Sequence, residues 1–430
     1  MFFIYNTLLC TITPLLVLYF ILKKRSYENI TSLSWRLGRY PADFLPPPEA
    51  QLRIWLHASS VGEINAVIPY IKSLRHQYPN AWLVVSTMTG SGLQFAREHL
   101  PEVDKHFLAP FDLFFAAKRA IRRIQPSLFI TAETEIWPNL LRYARRSGAR
   151  ILMINGRVSP RSIGFYRKIR SFLHQVLGYY DLFSVILPED AARLIEMGAD
   201  PLKIRINGNI KYDRLAQQIN PVFYEESKQL LHLTGDEQIL LAGSTREGEE
   251  ELLLQAFLEI RKIFPDLRLI IAPRHIQRAQ EVTKIIREFN FNPRLRTEIT
   301  GNTVLTPNDI IVIDTLGELS KLYSIATIAF CGASLVPLGG QNPLEPAAWG
   351  KVVLYGPSMD DFLDAKSLLE QAGAGFAVNN PGELATKVQE LLQQPEALAR
   401  RGVAAKQAVL AQQGSSRRNL ELTINLLKEK

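Results

Sequence analysis

The stretch LHASSVGE, residues 56–63, closes an apolar run and passes directly into INAVIPYIKSLR. Glu63 there has two readings. It is an acid in the first turn of a helix, where the helix dipole favours negative charge, or a carboxylate placed at the carboxyl end of a strand to move a proton. A second stretch, ITAETEIWPN (130–139), repeats the arrangement, with Glu133 just beyond an apolar run and Glu135 following. Two carboxylates brought to one site can divide labour, one taking a proton while the other orients or stabilises. Lys211 in NGNIKYD (207–213) is a cation suited to charge developing on a phosphate. Arg274 in APRH (272–275) ends a strongly apolar segment, and a guanidinium there can take a phosphate or carboxylate with two hydrogen bonds. DTLGELSKLY (314–323) repeats the strand, glycine, helix scheme around Gly317 and Glu318. In GASLVPLGGQNPLEPAAWGK (332–351), Gly339-Gly340 read as a flexible loop, and Glu345 at the following helix start suits ribose hydroxyls. Each segment also has a plainer reading as helix capping or turn chemistry.

These residues need elements to hold them. RIWLHA, AWLVVST, SLFITAE, ARILMIN, LFSVIL and KIRING read as strands separated by amphipathic helices. Short apolar runs without alternation suit strands buried on both faces of a parallel sheet. The alternation restarts after GNIKYDRLAQQINP (208–221), with QILLAGS, LRLIIAPRH, DIIVIDT, TIAFCGAS and KVVLYGP. The expected fold is therefore α/β, with two doubly wound domains in tandem and the site at the carboxyl ends of their strands. The expected boundaries are an N-terminal anchor over 1–25, a first domain over 26–213 and a second over 214–430. Residues 2–22 are apolar, diluted by Asn6, three threonines and Pro14, and followed by Lys23, Lys24 and Arg25. That pattern predicts an uncleaved anchor, spanning the bilayer or lying at its inner face with the body on the cytoplasmic side.

Composition removes several function classes. The chain has 430 residues and a formal charge of +8, with basic clusters at 118–123, 142–150 and 165–170. No nucleic-acid motif accompanies them, so anionic membranes or acidic small molecules are the expected partners. Two cysteines, Cys10 and Cys331, exclude a disulfide framework, and no His/Cys spacing builds a zinc site. There is no GxxxxGK[ST] loop, no GxGxxG fingerprint and no Asp-x-Asp pair. Neither a metal nor a cofactor is expected, and protein groups should neutralise any phosphate.

HASSVGE, ETEIWPN, NGRVSPRS, GNIKYD, GSTREGEE, APRH, DTLGEL and GASLVPLGGQNPLEPA occur in this order over nearly the whole chain. Together with the N-terminal segment they resemble the 3-deoxy-D-manno-octulosonic acid (Kdo) transferases of lipopolysaccharide biosynthesis. The resemblance implies a GT-B fold, two Rossmann-like domains facing across a cleft. It implies inverting, metal-independent transfer of Kdo from CMP-Kdo to the tetra-acylated lipid A precursor (lipid IV-A) at the inner membrane. It implies Glu63 as general base, and Glu133 and Lys211 as stabilisers of the transition state. It implies CMP held by Pro273 and Arg274, by Leu316, Gly317 and Glu318, and by Asn342, Pro343, Leu344 and Glu345. Members of the family usually carry His where this chain has Arg246, Gln341 and Ser358, and often Asn at Asp361. These departures bear on the donor side and leave Glu63, Arg274 and Glu345 in place. Two other readings are a UDP-sugar epimerase or lipid-linked sugar transferase of the same architecture, and an inactive membrane-anchored scaffold.

Overall fold

The computed structural model describes residues 1–23, 33–217, 219–233, 237–301 and 303–428. They form two compact units, Met1–Arg214 with Gln413–Lys430, and Leu215–Gln412.

The first unit is a parallel sheet of seven strands: β1 Arg53–His57, β2 Trp82–Thr87, β3 Lys105–Leu108, β4 Leu128–Ala132, β5 Arg150–Gly156, β6 Leu182–Val185 and β7 Ile204–Ile206. Their order is β3-β2-β1-β4-β5-β6-β7. Strands β2 and β4 are buried along their whole length, as unalternated apolar runs require. Successive side chains feed opposite layers. Trp55 and Phe129 pack into one core with Phe107 and Phe183, while Ile54, Leu56, Leu128 and Ile130 pack into another on the far face. Strand β1 pairs with β2 on one side and β4 on the other, so the chain reverses direction across the sheet between β1 and β4. Such a reversal point, at the carboxyl ends of two adjacent strands, is where open α/β sheets place their ligands. His57 ends β1 and Glu63 follows it, and Glu133 and Glu135 follow β4.

The second unit repeats the plan with β8 Ile239–Thr245, β9 Arg268–Pro273, β10 Asn292–Leu295, β11 Asp309–Val312, β12 Ile328–Cys331, β13 Val352–Tyr355 and β14 Gly375–Ala377, ordered β10-β11-β9-β8-β12-β13-β14. Its switch point lies between β8 and β12. The GSTREGEE and GASLVPLGG loops leave there.

The expected second domain, 214–430, loses its last helix to the first unit. Ser415–Lys428 returns to pack on the helix Val61–Gln77, where the Tyr70 and Thr423 hydroxyls meet at 2.7 Å. Asp213 fixes the return by accepting the Gly414 and Ser416 backbone N–H groups, each at 2.6 Å.

The N-terminal helix spans Phe2–Lys23. Among the described residues no helix is long and apolar enough to cross a membrane, so the spanning form of the expected anchor is not supported. The first turns pack on the body instead. Phe2 meets Phe172 edge-on at 5.2 Å, and the Arg142 guanidinium covers its ring at 4.6 Å. Tyr5 donates to Asp112 at 2.8 Å, and Asn139 donates to Asn6 at 2.6 Å. Thr7, Thr11 and Thr13 return their hydroxyls to carbonyls four residues back. Phe3, Ile4, Leu8 and Ile12 remain exposed on the other side. Lys24, Arg25 and the expected boundary at 25/26 lie outside the described residues.

Candidate active site

Ser60 caps the helix that carries Glu63, and its hydroxyl accepts the Glu63 N–H at 3.3 Å. The Glu63 carboxylate answers by accepting the Ser59 N–H at 2.7 Å and the Ser60 hydroxyl at 2.9 Å. Glu63 therefore does cap a helix, as the plain reading holds. It does more as well, because a carboxylate that only capped would be stabilised as the anion. Burial instead pushes the Glu63 carboxyl up, and the charges of Glu135 and Glu133 add to the rise against the Ser59 and Ser60 hydrogen bonds. A carboxylate poised to take a proton needs that setting.

Glu133 directly follows β4 with φ 56°, a left-handed conformation that costs a residue with a Cβ about 1–2 kcal/mol. Its N–H donates to Ile154 at 2.8 Å, which fixes the backbone while the chain turns off the sheet. Its carboxylate accepts from Lys211 at 3.3 Å. Lys211 is placed by two asparagines. Asn155, itself left-handed at φ 54°, accepts the Ile210 N–H at 2.9 Å, and Asn209 accepts the Lys211 N–H at 3.0 Å. Three residues far apart in sequence, Glu63, Glu133 and Lys211, thus belong to one electrostatic group in the first unit. Such a group can accept a proton from a hydroxyl and counter a developing negative charge.

In the second unit the candidates fall into two clusters. Pro273 ends β9 and is buried, and Arg274 is exposed with its backbone N–H tied to Thr245 at 3.0 Å. Among the described residues the Arg274 guanidinium has no ion pair or hydrogen bond. Beside it Arg246 donates to the His275 ring at 2.6 Å. The departure at Arg246 therefore places another cation on this strand-end edge. The second cluster joins two turns. Leu316 is 78 % exposed, Gly317 has φ +82°, and Glu318 is held by Arg296 at 3.1 Å and by the Thr315 hydroxyl at 2.6 Å. Asn342 caps the Leu344 N–H at 3.1 Å, Pro343 and Leu344 are buried, and Glu345 is half-buried on the short helix Leu344–Ala348. The Trp349 indole donates to the Ser320 carbonyl at 2.7 Å and ties the two turns side by side. Both helices, Leu319–Leu322 and Leu344–Ala348, are about one turn long, so they offer single N–H groups and little dipole.

The Gly339-Gly340 loop is not flexible in the sense expected. Both glycines are left-handed, and a Cβ on Gly339 would stand 2.5 Å from Asp361, while one on Gly340 would strike Met359. The Gly339 N–H donates to Ser358 at 2.9 Å and the Gly340 N–H to Ala333 at 2.8 Å. Glycine is required here for close packing, and two of the departures, Ser358 and Asp361, are the residues packed against it.

Sequence reasoning missed two carboxylates. Glu249 is fully buried and accepts four backbone N–H groups: Arg246 at 2.9 Å, Ala333 at 2.6 Å, Ser334 at 2.9 Å and Leu335 at 2.9 Å. It locks the two switch-point loops of the second unit to each other. Glu135, named but given no role, shares the Ser59 hydroxyl with Glu63. The available signal was the repetition of a strand-end loop followed by acids, which reads equally as helix N-terminal charge.

Comparison with known proteins identifies the family and the fold. A family model described as 3-deoxy-D-manno-octulosonic-acid transferase (kdotransferase) matches residues 31–214. A 3-deoxy-D-manno-octulosonic acid transferase of Haemophilus influenzae is 31% identical over 425 residues, covering 98% of this chain and 97% of its own. Among solved structures, a glycosyltransferase from Rickettsia africae aligns with a TM-score of 0.60 at 17% identity, covering 88% of this chain and 100% of its own. A putative UDP-N-acetylglucosamine 2-epimerase from Listeria monocytogenes aligns with a TM-score of 0.61 at 14% identity, covering 89% and 98%. These two structures speak to the fold alone. With 31% identity to the Haemophilus enzyme over nearly the full length of both, the chain belongs to the 3-deoxy-D-manno-octulosonic acid transferase family and is a glycosyltransferase by that membership.

Proposed function

We propose that this chain transfers Kdo from CMP-Kdo to the tetra-acylated lipid A precursor in lipopolysaccharide biosynthesis, with inversion and without a metal. The observation that carries the reading is the group formed by Glu63, Glu133 and Lys211 at the switch point of the first sheet. Glu63 takes the proton of the acceptor sugar hydroxyl. The freed oxygen forms a bond to the anomeric carbon of Kdo from the face opposite the nucleotide. The bond from that carbon to the phosphate oxygen breaks, and CMP leaves with the electron pair. Lys211 counters negative charge as it develops, and its pairing with Glu133 sets its position. Leaving CMP carries one phosphate, which one or two protein cations can meet, and Arg274 is the exposed candidate. The base is assigned to the first unit and the nucleotide to the second.

Donor selectivity tests the reading. By calorimetry CMP should bind and UDP should not, and Arg274→Ala should weaken CMP by a factor on the order of 10, as loss of a charge-assisted contact does. Preference for UDP would favour an epimerase or another nucleotide-sugar enzyme. Unchanged CMP affinity in the variant would remove Arg274 from the donor site.

The acceptor is an anionic lipid, and residence at the cytoplasmic face of the inner membrane is part of the same proposal. Two features support it: the exposed Phe3, Ile4, Leu8 and Ile12 of the N-terminal helix and the exposed Lys118, Arg119, Arg122 and Arg146 on the two helices Phe114–Ile124 and Pro138–Arg146. The protein should sediment with vesicles containing anionic phospholipid and less with neutral ones, and the triple change Phe3→Ser, Ile4→Ser, Leu8→Ser should release it. Equal sedimentation of the triple variant would place the membrane contact elsewhere.

A further inference from the structure

Two groups beside Glu63 have no task in this reaction, the buried His57 ring and the half-buried Glu135 carboxylate. His57 ends β1 and is fully buried. Its Nδ1 lies 2.9 Å from Ser86 Oγ on the adjacent strand β2. The same hydroxyl accepts from the Trp55 indole N–H at 2.7 Å. An indole can only donate, so the Ser86 proton is free to point at His57 Nδ1. With the Ser86 proton so directed the neutral ring's proton is on Nε2, and a doubly protonated ring carries one there too. In either state Nε2 presents an N–H. It has no hydrogen-bond partner among the described residues, and it lies 3.6 Å from Glu135 Oε2.

Glu135 collects further donors. Its Oε2 accepts from the Trp137 indole at 2.7 Å, and its Oε1 accepts from Ser59 Oγ at 3.0 Å. The same Ser59 oxygen stands 3.1 Å from Glu63 Oε1. One hydroxyl proton therefore faces two carboxylates and can serve only one at a time.

We propose that Glu135, kept ionised by His57 and Trp137, is a positioning residue that sets the basicity of Glu63 through the shared Ser59 hydroxyl. This deepens the reading of Glu63 as base and rests on it. The chemistry is that of two carboxyls held in unlike surroundings, where the difference assigns the roles. Glu135 is offered an indole N–H, an imidazole N–H and a hydroxyl, whereas Glu63 has hydroxyls and one backbone N–H. The directions agree. Burial raises Glu63 and the Glu135 charge raises it further, with a smaller push from Glu133. Burial also raises Glu135, but the His57 ring, Trp137 and Ser59 outweigh it and hold that carboxyl below its ordinary range. The charged groups around Glu63 are Glu135 and Glu133 from the loop after β4, His57 behind Glu135, and Lys211, which is paired with Glu133. Of these, Glu135 alone shares a hydroxyl with it. When the acceptor O–H breaks, its proton lands on Glu63, and Ser59 turns its own proton to Glu135. No further group has to be oxidised, reduced or released.

The test is kcat and KM against pH, followed as CMP release by the full chain supplied with CMP-Kdo and lipid acceptor. Activity requires ionised Glu63, so the acidic limb of the profile reports its pKa. Glu135→Gln removes a charge that raises this pKa. The limb should therefore move down by about one pH unit, and plateau kcat should fall about tenfold with acceptor KM within about twofold. Glu135→Asp keeps the charge and should restore the limb to within about 0.3 units and most of the turnover. The proposal is overturned if the Gln variant leaves the limb in place, or if the Gln and Asp variants behave alike. Glu63→Gln separates the two levels. If it is inactive while Glu135→Gln shifts nothing, only this inference fails; if it stays active, the assignment of the base fails as well.

Discussion

Glu63→Gln lowers turnover by a factor on the order of 10² to 10⁴, the usual worth of a general base, while CMP affinity stays within about twofold of the parent. The substitution keeps the shape of the side chain and its place in the first turn. It replaces one acceptor oxygen by an amide that cannot receive the Ser59 N–H, so the helix cap weakens by about 1 kcal/mol and the unit stays folded. The missing property is the capacity to bind a proton. In the parent that capacity is enhanced, since burial and two neighbouring carboxylates push Glu63 above its ordinary range. The parent's activity should rise with pH through a limb lying above that of an exposed glutamate, because the base works only when ionised. The residual activity of the variant should lack this limb. CMP binding should be spared because the nucleotide candidates belong to the second unit. Near-normal turnover in the variant would transfer the role to another group, with Glu133 the next candidate.

Glu249→Ala has the largest expected effect on stability. Four buried backbone N–H groups, those of Arg246, Ala333, Ser334 and Leu335, lose their acceptor together. Each orphaned donor costs about 1–3 kcal/mol before relaxation, and relaxation is limited by the loop's own geometry. Ala333 is held left-handed at φ 58° and Ser244 at φ 58°, conformations that persist only while the surroundings impose them. A net loss of about 4 kcal/mol is expected, which for a unit of this size lowers its Tm by about 10 °C. Because the freed loops run into the Gly339-Gly340 turn and Asn342, CMP affinity should fall in the molecules that remain folded. A Tm within about 2 °C of the parent would show that the four contacts are replaceable by water.

Much of this arrangement is legible in the residues themselves, and the parts that are not share a cause. The central strands announce themselves because burial on both faces demands unbroken apolar runs, as in Leu128–Ala132 and Ile328–Cys331. Strands β3, β10 and β14 escape notice because each is a sheet edge with one neighbour, and Asn292–Leu295 even carries a proline and an exposed arginine. The final helix shows its amphipathic pattern but not its destination. Apolar residues such as Leu420 and Leu426 say that a face is covered, and only the fold says that the first unit covers it. Glu63 and Glu133 were readable as a pair because they follow the adjacent strands β1 and β4, whereas Lys211 follows the edge strand β7 and joined them only through the family resemblance. Glu249 and Glu135 were not, since their work is done by side-chain geometry within bland acidic helix starts. The N-terminal segment left two readings open, a span and a helix lying at the membrane surface. Its length suggested a span, but Asn6 and its threonines dilute it and its first turns pack onto Phe172 and Asp112.

The measurement closest to the central claim is the mass of the lipid product after the full-length protein meets CMP-Kdo, generated in situ, and the tetra-acylated lipid A precursor. A gain of one or more whole Kdo residues is expected, with an equal yield of CMP, and with Glu63→Gln a rate of gain lower by a factor on the order of 10² to 10⁴. An unchanged lipid mass with protein that is folded and binds CMP would contradict it.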